Sequence, residues 1–441
     1  MTEAPDHPNT MGDATEQSGL VPPKRFDIVI GGGGLAGNLM ALALSGSLGT
    51  DADIAIVDPT SGAQSSAKKR VPTLREDPRC SSIAAGSKAL LDAVGVWSAI
   101  AQHAQPISRI ALTDTALESP VRIPRMEYDN RVEDPFSEDL VPGSYIVPNA
   151  LMGAAVLDAI SQVRSVTRIV ARIQAVDVDT GGCRLETDAG TITAPLVIAA
   201  DGARSSLRRA ANIRTVVRDH RQCAIVTVVS HSLPHEGVAV QHFLPGGPFA
   251  ILPLTGNKSC VTWSERAREA ARIVALDDHG FHHELERRFG GQLGEITLES
   301  GRTTFPLRTQ LAHEMIAPRL ALIGDAAHAV HPIAGQGLNL AIRDIAALTE
   351  CVVDGMRVGL DPGDATGLER YQRWRRFDAA MSAMTFAGLN RLFSNDNGLL
   401  RSARDFGLGF IDRMPGVKQR LVNEAAGLTG DVPKLLRGEL V

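Results

Sequence analysis

The sequence predicts an α/β fold in which a parallel, nucleotide-type sheet is assembled from separated stretches of chain. A β-rich domain is inserted between them, and the C-terminal region is helical. Three observations predict this. The apolar run Phe26-Asp27-Ile28-Val29-Ile30 ends in glycines, an Ala/Leu-rich helical stretch follows from Leu35 to about Leu48, and a second apolar run, Asp53–Asp58, closes the unit. Strand, glycine turn, helix, strand is a βαβ unit. Two more short apolar strands lie far downstream, Leu196–Ala200, which ends in small residues, and Arg319–Ile323, which runs into Gly324. Between these pieces the helical period gives way to alternating β-prone runs.

Taken in order, residues 1–24 are polar and rich in Pro, Gly, Asp and Glu, without the basic and apolar regions of a signal peptide, and read as a disordered tail. Residues 25–106 form the first part of the nucleotide-type domain; after the βαβ unit, Ser61–Arg79 reads as loop and Ser87–Gly95 as a helix that Gly95 stops. Over 107–148 short β-prone runs alternate with Pro-rich and acidic segments, the first piece of the β-rich domain. Residues 149–214 return to the first domain, with a helix at Asn149–Ser161 and strand-like runs from 167 to 200. Residues 215–303 are strand-rich at Cys223–Val229, Val238–Leu244, Phe249–Leu254 and Ser259–Trp263, with a helix at Phe281–Phe289. Residues 304–360 rejoin the nucleotide-type sheet, and 361–441 are mostly helical.

Composition bounds the function. A chain of 441 residues exceeds what one core usually fills, and its net charge of −5 gives no electrostatic case for a nucleic-acid partner. Five cysteines, Cys80, Cys183, Cys223, Cys260 and Cys351, include no C-x-x-C pair and read as reduced thiols packed as small apolar groups. No apolar run reaches the 18 or so residues of a membrane span. A cytoplasmic protein is therefore expected.

Three signatures carry the chemistry. In Gly32-Gly33-Gly34-Leu35-Ala36-Gly37, a G-x-G-x-x-G between strand and helix, Gly32 permits the tight turn, Gly34 lets the backbone approach a pyrophosphate, and Gly37 lets the helix pack on the strand. The helix start then presents free N–H groups to phosphate. Asp58, at the end of the second strand, is placed to accept from a ribose hydroxyl. The second signature, Val197–Ser205, runs an apolar strand into Asp201-Gly202; read alone, it is also an ordinary strand and turn. The third is the most specific: Leu320–Ile323 delivers Gly324-Asp325 at a strand end, where Asp325 can accept from polyol hydroxyls. The loop His331-Pro332-Ile333-Ala334-Gly335-Gln336 then opens a helix near Gly337, Leu338 and Asn339.

In this order and at these separations the signatures resemble the class A flavoprotein monooxygenases, the p-hydroxybenzoate hydroxylase fold with its Rossmann-like FAD-binding domain, over roughly residues 26–420. Finer segments resemble the ubiquinone-biosynthesis hydroxylases of the UbiH/UbiF/VisC type: Asp77–Ile83, Tyr145–Leu151, Phe243–Leu254, and Gly324–His328 with Pro332–Asn339. Two departures are Pro148-Asn149, where many members carry an acidic residue and Asn, and the extra Gly31.

The resemblance implies FAD as cofactor and NADPH or NADH as reductant. Oxygen is activated as a flavin C4a-hydroperoxide, and the substrate is a polyprenylated phenol. It places Gly32, Gly34 and Gly37 on the ADP part, Arg79 on the FAD ribose or phosphate, Asp201 near the pyrophosphate and Asp325 on the ribityl chain. The first amides of the helix at Gly337, Leu338 and Asn339 face the flavin's electron-rich edge, and the loop carrying Pro332, Gly335 and Gly337 lies over its reacting edge. No metal and no hydrolytic triad are expected.

Several side chains keep two readings. His328 and His331 either hydrogen-bond the loop or act on the phenol; Asp344 either pairs or reacts; His242 and Trp263 either pack in the core or line the substrate face. An insoluble prenyl tail calls for a membrane surface, at the inner face of the membrane, or for a lipid-presenting partner among other ubiquinone-biosynthesis proteins. The stretch Ala379–Phe410, with Met381, Met384, Phe386, Leu389, Leu392 and Phe393 near helical spacing and Arg391, Arg401 and Arg404, reads either as an interfacial helix or as a packed one. Competing activities are a polyprenyl reductase or alkene epoxidase on the same fold, and a non-catalytic FAD-binding subunit. The sequence identifies no catalytic base.

Overall fold

A computed structural model describes residues 23–60, 71–114, 117, 122–133, 139–179, 181–330, 335–393 and 415–441. Most of the expected tail, His331, Pro332, Ile333, Ala334, Arg401 and Arg404 lie outside the described residues.

The elements that build the site are, in chain order, β1 (Ile28–Gly31), α1 (Leu35–Leu48), β2 (Ile54–Val57), β3 (Cys80–Ala84), α2 (Ala85–Ala93), β4 (Ser144–Pro148), α3 (Asn149–Ser161), β5 (Val166–Ile169) and β6 (Leu196–Ala199). They continue as α4 (Ser206–Ala210), β7 (Thr215–His231), β8 (Lys258–Arg266), β9 (Thr303–Ala312), β10 (Leu320–Leu322), α5 (Gln336–Arg357), α6 (Ala365–Phe393) and α7 (Pro415–Ala426). A six-stranded sheet takes the order β5-β2-β1-β6-β10 followed by Ile316–Ala317. Its first five strands are parallel and the last is antiparallel. Strands β1, β2, β6 and β10 are buried along their whole length, which is why they read as unbroken apolar runs. Helices α1 and α5 pack on each other over this sheet.

The inserted domain is a nine-stranded, mostly antiparallel sheet in which β9, β7 and β8 are neighbours and Arg109–Asp114 and Met126–Asp129 form the far edge. It buries a second core around Phe249, Trp263, Phe281 and Phe289. A three-stranded sheet, β3-β4 with Gln105–Pro106, lies between the two.

Three expected details differ. Lys24, expected in the tail, and Arg25 pair with Ile192 and Thr193 in a separate four-stranded sheet. Strand β7 is longer than Cys223–Val229 because a bulge between Asp219 and Gln222, with Arg221 at φ 55°, lets a polar stretch keep pairing with β9. And β9 extends the inserted sheet to Ala312, past the expected boundary at 304, since its alternating Thr303–Ala312 pattern suits a half-exposed antiparallel strand.

Candidate functional site: a dinucleotide cradle at the strand ends

The carboxyl ends of β1, β6 and β10 lie side by side, and the chain leaving them passes through small residues, Gly32, Ala200 and Gly324, that pack closely. Gly32 sits at φ 117°, and a Cβ on it would lie 2.4 Å from Ala200 O. A Cβ on Gly37 would lie 1.9 Å from Gly32 O. Gly34 is different: it has ordinary extended angles at the N-cap of α1, and its Cβ would meet nothing within 4 Å. The first amides of α1 therefore face open space, the arrangement a pyrophosphate needs. Gly324, at φ 57°, brings the Asp325 turn between two helix starts, its Cβ position 3.6 Å from Ala36 and 3.2 Å from Ala341. Gly335, at φ 64°, caps α5 and would place a Cβ 2.9 Å from Ser82 Cβ.

Asp325 is exposed to solvent, yet protein closes in around its carboxylate. That surrounding pushes its carboxyl above the usual range, against the charge of His328. It behaves as a group on the floor of a cleft. The Asp325 turn is thus flanked by the opening turns of α1 and α5, through Ala36 and Ala341.

The other carboxylates expected to meet the cofactor have protein partners. Asp58 accepts from Gly33 N at 2.8 Å and from Thr60 N at 2.6 Å, and also from the Thr60 hydroxyl. Burial raises its carboxyl, but these bonds and Arg168 outweigh it and hold it below the usual range. Asp201 caps α4, one oxygen accepting from Ser206 N at 2.7 Å and Leu207 N at 3.2 Å. Its Oδ1 is buried with no hydrogen-bond partner among the described residues.

Arg79 is paired with a neighbouring carboxylate. Its guanidinium forks onto Asp77 at 2.7 and 2.8 Å and lies over the Phe305 ring, lining a cleft of about 570 Å³ with Pro72, Glu76 and Thr303. Asn339, expected at the cofactor, spends its side chain on the scaffold: it accepts from Ala84 N at 3.0 Å and donates to Ser82 O at 2.8 Å, clamping α5 to β3. Only its backbone, with those of Gly337 and Leu338, is left for the groove. Asn339→Ala is accordingly expected to lower stability by about 1–3 kcal/mol through orphaned buried backbone groups, read as a fall in denaturant midpoint.

Three residues that the sequence reading passed over shape the site. Asn38 donates to both Gly33 O and Gly34 O, at 2.6 and 3.0 Å, drawing the turn's carbonyls onto α1. A lone Asn in an otherwise apolar helix was the available signal. Arg208, buried, ties the Asp201 loop to the Asp325 turn by donating to Ala203 O and Ala326 O at 3.0 and 2.7 Å. Arg375 binds Asp344 at 2.9 Å, and Asp344 in turn receives His328 Nε2 at 2.6 Å. His328 therefore bonds a helix carboxylate, and Asp344 pairs. His242 and Trp263 are core residues: His242 bonds Thr113 and Phe289 O, and burial drives its pKa down to about 3, so it is neutral. Among the described residues no three His, Cys, Asp or Glu side chains gather as a metal site.

A glycine turn feeding open space at a helix start, a cleft-floor carboxylate at the next strand end and a second helix start beyond it define a dinucleotide-binding flavoprotein. The family model described as "FAD binding domain" matches residues 25–386. The chain is 37% identical to the ubiquinone hydroxylase UbiL of Rhodospirillum rubrum over 99% of this chain and 97% of that one. It is 30% identical to the 3-demethoxyubiquinol 3-hydroxylase of Escherichia coli over 91% and 98%. Its fold is that of a p-nitrophenol 4-monooxygenase from Pseudomonas putida, with a TM-score of 0.74 and 18% identity over 92% of this chain and 99% of the other. The chain belongs to the FAD-dependent monooxygenases of this family, in the group of the ubiquinone-biosynthesis hydroxylases.

Proposed function

We propose that this chain hydroxylates the aromatic ring of a polyprenylated phenol in ubiquinone biosynthesis, consuming one O₂ and one NADH or NADPH and releasing one water per hydroxyl group added. When bound, FAD accepts the hydride and supplies the activated oxygen. The chain's own residues bind and orient it. The α1 start at Gly34 receives the pyrophosphate, Gly32 and Gly37 set that turn, and Asp325 accepts from the ribityl hydroxyls. The amides of Gly337, Leu338 and Asn339 favour negative charge at the flavin's edge. Gly335 caps the helix that carries these amides, and Asp201, whose buried Oδ1 has no hydrogen-bond partner among the described residues, would lie beside the pyrophosphate. Arg79 reaches the cofactor's ribose or phosphate by exchanging Asp77, and Asp58 keeps the glycine turn in shape through Gly33. The observations that carry this reading are the open space at Gly34, where a Cβ would meet nothing within 4 Å, and the exposed Asp325 on a turn whose Gly324 packs against Ala36 of the same helix start.

The test is the flavin spectrum of the purified protein, followed by oxygen uptake with NAD(P)H and a prenylated phenol under ¹⁸O₂. One labelled oxygen in the product is expected. Phenol-independent FAD binding without oxygen uptake would leave a non-catalytic subunit; substrate reduction without oxygen would leave a reductase.

The prenyl tail is met at an anionic membrane surface through α6. Phe377, Met381 and Met384 follow helical spacing on one face and are 74%, 47% and 70% exposed. Arg373 and Arg376, both exposed, flank them. Of the stripe read from the sequence, Met381 and Met384 are described; the side chains from Phe386 onward are not. Among the described residues no helix is long and apolar enough to cross a membrane, so attachment would be peripheral. Replacing Phe377 and Met384 by glutamate should cut partitioning onto phosphatidylglycerol vesicles, read by co-sedimentation, by at least about a hundredfold, since two buried apolar side chains together contribute ~3–6 kcal/mol. Unchanged partitioning would remove this face from the account.

A further inference from the structure

The turn that presents Asp325 is held at both of its ends by one carboxylate. Asp344 Oδ2 accepts from Gly324 N at 3.0 Å, before Asp325, and from His328 Nε2 at 2.6 Å, after it. Asp344 is fully buried and His328 nearly so. The other Asp344 oxygen accepts from Arg375 Nε at 2.9 Å, on α6. One helical turn earlier on α6, the Tyr371 hydroxyl donates to Leu322 O at 2.7 Å, at the end of the strand that feeds the same turn. The backbone amide at the turn's start and the histidine at its end are thus held by α5 through Asp344, which α6 supports through Arg375, while α6 holds the preceding strand through Tyr371.

A purely structural ion pair would not need this arrangement. Both bonds to Asp344 Oδ2 bracket the solvent-exposed Asp325, and Gly324 holds a left-handed conformation at the bend just before it. We propose that Asp344 is a positioning residue for the FAD site, fixing through Gly324 and His328 the turn that aims Asp325 at the cofactor. This rests on the reading that the Asp325 turn binds FAD.

A positioning residue acts through the group it positions, so its effect should vanish when that group is gone. The experiment is a double-mutant cycle on FAD affinity, by flavin fluorescence quenching with apo-proteins of the full chain: Asp325→Ala, Asp344→Asn and the pair. Thermal melting of each apo-protein checks folding. Asp344→Asn keeps an acceptor for Gly324 but loses the charge that His328 and Arg375 bind. It is expected to weaken FAD about tenfold in the parent and by less than about twofold in the Asp325→Ala background. Equal losses in both backgrounds, or none in the parent, would overturn the proposal while leaving the cofactor turn in place. If Asp325→Ala alone left FAD binding unchanged, the reading of the turn itself would fail. Should Asp344→Asn not fold, His328→Gln, which spares the Gly324–Asp344 bond, runs the same cycle with the same two outcomes.

Discussion

Gly34→Val is expected to fold like the parent and to bind FAD at least about a hundredfold more weakly, a loss of ~2.7 kcal/mol. Its backbone angles, φ −73° and ψ −173°, are open to any residue, and no protein atom lies within 4 Å of the new Cβ. Nothing in the apo-protein therefore opposes the side chain. The added isopropyl group would fill the space through which a pyrophosphate reaches the first amides of α1, so the whole cost falls on binding. The neighbouring glycines supply the contrast. Gly37→Ala places a methyl carbon 1.9 Å from Gly32 O, and Gly32→Ala adds a strained positive φ to a 2.4 Å approach to Ala200 O. These two should fail to give soluble protein. Apo-protein melting temperature and FAD titration separate the cases: an unchanged affinity in a folded Gly34→Val protein would mean the phosphates lie elsewhere.

Much of this was readable from residue order, and the reasons are physical. Strands buried on both faces must be apolar throughout, so β1, β2, β6 and β10 announced themselves, and glycines mark where backbones nearly touch. The site's supporting bonds were not readable. Asn339 lies within a motif that resembles cofactor-binding sequence, but its amide serves Ser82 and Ala84, more than 250 positions earlier in the chain. Asp344 reads as one of many helix carboxylates; only the fold brings it under Gly324 and His328. Arg79 and Asp77 are two residues apart, and the motif does not show that they pair. Side-chain destinations depend on which segments the fold brings into contact, and sequence separation carries no information about that.

Arg375→Leu is expected to cost about 3–5 kcal/mol near neutral pH, because it leaves charges behind in the interior. Arg375 is buried and binds both Asp344 and Asp378, while Arg343 holds Asp378 from the other side at 3.2 Å. Leucine replaces the packed stem but not the charge. Burial acts to raise the carboxyls of Asp344 and Asp378, and their cationic partners more than offset it, holding both below the usual range. A carboxyl depressed by folding stabilises the native state above its unfolded pKa, and that stability is lost as pH falls through the folded value. His328 runs the other way: burial lowers it, Asp344 raises it further, and the net shift is upward. Its contribution is full below about pH 6.5 and is lost as pH rises through the folded value. The cluster in the parent is therefore strongest between roughly pH 4 and pH 6.5. Removing Arg375 lets both carboxyls rise, so the deficit should shrink as acid protonates them. Urea midpoints of parent and variant across this range measure it: a deficit below about 1 kcal/mol, or one that does not narrow in acid, would mean that Arg375 is not the charge on which Asp344 depends.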